Sequence, residues 1–144
     1  MPQTESLRPR RELEPGDLGS MRNSLGILTR DHKSFRPERL MDITGLGHTE
    51  LSRMTGKARP LLYKKELPLK LSSNLAKSII HLVVVTDLAF ELFGKKEKDT
   101  TLWLMSPNTF LFGDSPFVVA MRGDGEKLIT WLNTRLGRVE GAAF

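Results

Sequence analysis

Apolar residues recur at threes and fours along most of this chain, and that period predicts helices. The longest run is Leu71 to Phe93, where Leu75, Ile79, Leu82, Val83, Thr86, Phe90 and Phe93 keep the period for more than five turns and Gly94 closes it. The β-branched run Ile79, Ile80 and Val83 to Val85 also fits a strand, but strands are usually short, and the length favours a helix. Upstream, Ser34 to Ile43 reads as a short helix with Pro37 near its start, Leu40, Met41 and Ile43 facing inward, and Gly45 and Gly47 as its stop. His48 to Thr55 reads as a second, with Leu51 and Met54 on one face and Gly56 after it. A third is expected from Ala58 to Lys65, with Leu61 and Leu62 inside and Pro60 tolerable only in the first turn. Leu25, Ile27 and Leu28 suggest a further short helix before Arg36. In the last third, Ser106-Pro107 and Ser115-Pro116 each place a hydroxyl before a helix-compatible proline. Asp124 is the expected cap of a final helix carrying Ile129, Leu132 and Leu136. No alternating run or Asn-Gly hairpin signal occurs, so the expected class is all-α.

The punctuation divides the chain. Residues 1 to 24 read as a flexible tail, because Pro2, Pro9, Pro15 and Gly16 interrupt a charged stretch with no apolar period. A tri-helical module is expected over 25–68, a long connecting helix over 69–94 and a small helical subdomain over 95–144.

Composition narrows the chemistry. With 144 residues the chain is large enough for an apolar core, and it contains no Cys, which removes disulfides and thiol chemistry and suits a reducing cytoplasm. His32, His48 and His81 are too scattered for a metal site written into local spacing. Lys77, His81, Asp87 and Glu91 interrupt the most apolar stretch, and the first 24 residues lack a signal-peptide core. No membrane association, metal or cofactor is therefore expected, and the location expected is cytoplasmic. The net charge is +5, and residues 1 to 65 hold 13 Lys/Arg against 8 Asp/Glu while residues 66 to 144 hold 9 against 9. The excess lies in the N-terminal half, the footprint expected of a nucleic-acid contact.

The basic half contains a helix-turn-helix pattern centred on Gly56. Ser52 is small where two helices must cross closely, and Leu51 and Leu62 are apolar where they must be held together. Around it lie Arg53, Lys57, Arg59, Lys64 and Lys65 against Glu50, suited to phosphates. The competing reading is a three-helix scaffold with a solvated basic face. Enzyme motifs fail: Gly45-Leu46-Gly47 continues to Glu50 where a dinucleotide fingerprint needs glycine, and Gly113-Asp114-Ser115-Pro116-Phe117 has Phe117 where a nucleophile elbow needs one. Gly123 to Lys127 lacks P-loop spacing. No catalytic residue is assigned.

Aromatic residues concentrate in the last 45 positions, and within them Trp103-Leu104, Pro107-Asn108, Gly113, Pro116 and Gly125 stand at fixed spacing. This run resembles the signature of the toxin-binding domain of Xre/MbcA/ParS-type antitoxins, and the resemblance extends over about residues 25 to 140. It implies an antitoxin of a type II toxin-antitoxin system, a homodimer whose C-terminal domain covers the active site of a RES-domain toxin that uses NAD. It also implies a repressor that binds its own promoter DNA through the N-terminal helices. The chain departs from the family pattern at its end, where Arg135 and Arg138 stand in place of an apolar residue and a glycine. A spacing of three would put both on one helix face. Trp131, Arg135 and Arg138 are accordingly the expected toxin contacts, with the segment from Trp131 to Phe144 as a plug and one of the arginines as its charged tip. The rival readings are a stand-alone helix-turn-helix transcriptional regulator and a structural adaptor without DNA affinity.

Overall fold

The structure, a computed structural model, describes residues 21–138. It runs β1 (Ser34–Phe35), α1 (Pro37–Thr44), α2 (His48–Thr55), a 3-10 turn (Arg59–Tyr63), β2 (Leu67–Pro68) and α3 (Asn74–Leu92). There follow α4 (Glu97–Met105), a second 3-10 turn (Thr109–Leu111), α5 (Pro116–Val119), a π-type turn (Ala120–Asp124) and α6 (Gly125–Arg135). The described residues are mostly helical, as the apolar period implies, and add one two-stranded sheet that the period does not imply.

The long apolar run forms α3, and its start is set by Ser73, whose hydroxyl accepts from the Ala76 N–H at 3.1 Å. Ala76, Ile79, Ile80, Leu82, Val83, Val85 and Ala89 are all buried, so the helix is covered on more than one side. That explains its β-branched richness without a strand. It packs against α4, α6 and the π-type turn, where Ser78 Oγ donates to the Met121 carbonyl at 3.0 Å. Buried apolar residues from Met21 to Leu132 join in one cluster, to which the segments on both sides of residues 68 and 94 contribute.

Several local expectations are corrected. Leu25, Ile27 and Leu28 are buried but not helical; Asn23 and Gly26 take positive φ, and the Asn23 side-chain amide bonds both the N–H and the carbonyl of Leu28, acting as a strand partner. Leu28 then bridges Phe35, which pairs with Leu67 in the small sheet. The helix expected from Ser34 therefore starts at Pro37, its first helical residue. Residues 1–20 of the expected tail lie outside the described residues, whereas Met21 is buried and the N–H groups of Arg22, Asn23 and Ser24 all bond the Asp87 carboxylate. The sequence carries no clear signal for α4. Ser106 ends it rather than capping the next helix: Pro107 forces the residue before it into an extended conformation, and Ser106 Oγ turns back to the Leu102 carbonyl. Ser115 does cap α5, accepting from the Val118 N–H at 3.2 Å. Asp124 does not cap α6, because its carboxylate is engaged by Arg122 Nε at 2.9 Å.

Candidate functional site

The tri-helical spacing works as packing. Leu51 and Leu62 are both fully buried, and Gly56 adopts the left-handed conformation that closes α2. Ser52 does more than keep the crossing small: its Oγ donates to the Lys57 carbonyl at 2.6 Å and fixes the turn. The third element differs from expectation. It is a five-residue 3-10 turn with Pro60 at its start, and Lys64 is already extended because the chain leaves for β2, where Leu67 pairs with Phe35. A short 3-10 turn does not project side chains into a major groove as a recognition helix does.

Arg53, Arg59, Lys64 and Lys65 are exposed and Lys57 is half-buried. None of the five has an ion-pair partner among the described residues. The adjacent acid Glu50 is turned away, its Oε1 accepting from the Gly47 N–H at 3.0 Å. Tyr63, at the end of the 3-10 turn, stacks on His48 with ring centroids 3.8 Å apart and planes 11° from parallel.

In the last third of the chain, each signature residue has a structural task. Trp103 lies between Phe93 (5.9 Å) and Trp131 (6.4 Å, nearly parallel), and Leu104 is fully buried. Asn108 organises the following loop: its Oδ1 accepts from the Phe110 N–H at 2.8 Å, its carbonyl accepts from the Leu111 and Gly113 N–H groups, and its own N–H donates to the Asp114 carbonyl at 3.1 Å. Gly113 turns with φ +90°, and Pro116 is the first residue of α5. Arg122 bonds both Asp114 (2.7 Å) and Asp124 (2.9 Å), tying the end of the loop to the start of α6.

This rigid loop holds two phenyl rings in solvent. Phe110 is 78% exposed and Phe112 98%, whereas Phe117, just beyond, is buried. Phe112 also has φ +57°, a left-handed conformation that costs a non-glycine residue roughly 1 kcal/mol. Local strain and an exposed phenyl group coincide at one residue, where no packing among the described residues offsets either.

The end of α6 departs from its expected geometry. The helix stops at Arg135, and Gly137, at φ +73°, makes the left-handed stop one position before the expected glycine. The Gly137 and Arg138 N–H groups return to the carbonyls of Thr134 and Asn133. Arg135 and Arg138 therefore do not share a helix face. Arg135 is exposed with its guanidinium 5.0 Å from the centre of the Trp131 ring, which is itself half-buried in the aromatic stack. Arg138 is held by the Glu91 carboxylate on α3, beside Arg22 at 3.7 Å, at the edge of a cleft of about 250 Å³ that Met21, Asp87 and Asn133 also line. The expected plug continues to Phe144, and its residues 139–144 lie outside the described residues.

The Arg138 hydrogen bond, and then the charges of Arg138, Arg22 and Lys95, hold the Glu91 carboxyl below its ordinary value of 4.5 against the opposing effect of burial. A lowered folded-state value means that the contact stabilises the fold above the ordinary carboxylate range and fades as pH falls through the lowered value. Glu91→Gln should accordingly melt below the parent at neutral pH, with the gap closing in acid. A gap independent of pH would overturn this assignment.

Among the described residues no group of three or more His, Asp or Glu side chains is placed to hold a metal ion, and no helix is long and apolar enough to cross a membrane. Compared with known protein families, with curated proteins and with solved structures, the chain matches none.

Proposed function

We propose that this protein is an antitoxin that neutralises a RES-type, NAD-using toxin by docking its C-terminal helices on it, and that it contacts nucleic acid through the basic segment from Arg53 to Lys65. The observation that carries the first half is the loop after α4. Asn108, Gly113 and Pro116 of the resembling signature build a braced turn whose outward product is the pair Phe110 and Phe112. Exposed aromatics on a rigid support are the usual anchors of protein interfaces, since they bury much area with little ordering cost. Arg135, exposed over Trp131, supplies a charged group on the same C-terminal region. Arg138 is a weaker candidate for the toxin cleft, because it would have to leave Glu91 first.

The nucleic-acid half rests on the five cations that have no ion-pair partner among the described residues. The third element being a five-residue 3-10 turn, this reading takes phosphate contact, rather than an inserted helix, as their role.

The test is coexpression with a RES-type open reading frame adjacent to the gene. The parent protein should protect cells from growth arrest and copurify with the toxin. Phe110→Ser combined with Phe112→Ser should lower affinity for the toxin at least about a hundredfold, since two anchor residues are removed, while helicity and melting stay unchanged because both rings are already in water. Full protection by the double variant would remove the loop from the interface. Failure of the parent to bind any such toxin would favour the stand-alone regulator.

A further inference from the structure

The arrangement that the antitoxin reading leaves unused is the ring pair beside the basic segment. Tyr63 is 66% exposed, and one of its faces is covered by the His48 imidazole at 3.8 Å. A tyrosine serving the core would be buried, and one serving only solubility would have no reason to be stacked. The stack holds the phenol ring in one orientation with its outer side toward water. On either side along the chain stand Arg59, Lys64 and Lys65, all exposed and without ion-pair partners among the described residues. The stretch from His48 to Glu66 holds five cations against two carboxylates, Glu66 and Glu50, and the Glu50 Oε1 accepts from the Gly47 N–H.

A pre-oriented aromatic face among cations is the chemistry of base stacking with phosphate neutralisation. It also selects the form of the nucleic acid. In a duplex the faces of the bases are covered by their neighbours, and sequence is read from the grooves by an inserted helix or ribbon. Here the element in the recognition-helix position is a short 3-10 turn, and what it presents at its end is an aromatic ring. A ring reaches the face of a base only where the base is unstacked.

We propose that His48, Tyr63, Arg59, Lys64 and Lys65 form a binding site for single-stranded nucleic acid, in which a base stacks on the outer face of Tyr63 and the three cations meet the flanking phosphates. This rests on the reading of the basic segment as a nucleic-acid face and specifies which form that face takes. His48 is a positioning residue: it fixes the plane of the tyrosine ring without touching the base.

Fluorescence anisotropy of the full chain with labelled oligo(dT), oligo(rU) and a mixed-sequence duplex, each about 15 nucleotides long, tests it at low salt. The expected result is tighter binding of at least one single strand than of the duplex. Tyr63→Ala should weaken single-strand binding about tenfold with little effect on the duplex, and Tyr63→Phe should restore it, because stacking needs the ring and not the hydroxyl. Comparing oligo(dT) with oligo(rU) identifies the sugar preferred. Tighter duplex binding, or equal binding of all strands by Tyr63→Ala and the parent, overturns the stacking site while the cationic face stands. No binding of any strand at low salt overturns the nucleic-acid reading and the stacking site together. Unchanged circular dichroism and melting of the Tyr63 variants separates these outcomes from misfolding.

Discussion

Asp87→Ala is expected to destabilise the protein by about 3 kcal/mol, lowering its melting temperature by roughly 10 °C. The carboxylate on α3 accepts three backbone N–H bonds at once, from Arg22 (2.9 Å), Asn23 (3.0 Å) and Ser24 (2.7 Å). Each is a hydrogen bond to a charged acceptor, worth roughly 1.5–3 kcal/mol where buried, and because water can reach the freed N–H groups at this partly exposed site the loss is discounted to about 1 kcal/mol per bond. Alanine removes all three acceptors together. The consequence extends beyond the bonds, because the clamp anchors the start of the segment that places Met21, Leu25, Ile27 and Leu28 in the core and bridges Leu28 to Phe35. Proteolysis should therefore begin within residues 21–30 of the variant before the helices open. Asp87→Asn keeps acceptor oxygen but loses the charge and one acceptor atom, so it should fall between parent and alanine. A variant Asp87→Ala that melts within about a degree of the parent, with no new cleavage in that segment, would show that the clamp contributes nothing.

Which parts of this fold can be read from sequence follows from the range of the forces that form them. α3 is legible because its apolar period persists long enough to exclude a strand, and the ends of α1 and α2 are legible because Gly45 and Gly56 supply left-handed stops that only local geometry requires. β1 and β2 are not, since strands of two residues carry no alternation and depend on a pairing between Phe35 and Leu67 across the intervening helices. α4 escapes notice because its fully buried residues are Thr100 and Leu104, and threonine favours helix poorly; Thr100 is accommodated by donating its hydroxyl to the Lys96 carbonyl.

The candidate sites divide the same way. The basic residues and the signature positions are visible as residue types at fixed spacing. The exposure of Phe110 and Phe112 is not, because an aromatic in a helical subdomain reads as core; Phe117, a few positions beyond Gly113, reads identically, yet it is buried. The one local signal is Asn108 with Gly113 and Pro116, a set of turn residues too dense for a helix. The Tyr63 platform gives no signal, since His48 and Tyr63 meet only when α2 and the 3-10 turn pack. Arg138 likewise reads as available to a partner because Glu91, the group that engages it, is 47 residues away in the chain.

Gly125 yields the sharper test of packing, because two principles predict opposite signs there. Its backbone is helical, with φ −62° and ψ −25°, so replacing it by alanine should on propensity alone stabilise α6 by about 1 kcal/mol. A Cβ at this position, however, would stand 2.6 Å from His81 Cβ, 3.2 Å from its Cγ and 3.3 Å from its Nδ1. The first of these atoms is anchored to the backbone of α3 and cannot rotate away. The two helices, which pack on each other and carry the buried Leu82 on α3 and Leu128 and Leu132 on α6, would have to separate, and overpacking of this kind costs about 1–3 kcal/mol. Packing should win: Gly125→Ala is expected to be destabilising by about 1 kcal/mol after the propensity gain, and Gly125→Val by about 3 kcal/mol, since valine adds two methyl groups to the clash and loses most of that gain. Denaturant unfolding of both variants reads the effect directly. The pairwise origin is tested with His81→Gly, which removes the opposing Cβ: destabilisation by Gly125→Ala should be smaller in that background, giving a coupling of about 1 kcal/mol in the double-mutant cycle. If Gly125→Ala instead stabilises the parent protein, the close approach of α3 and α6 is not what requires glycine at this signature position.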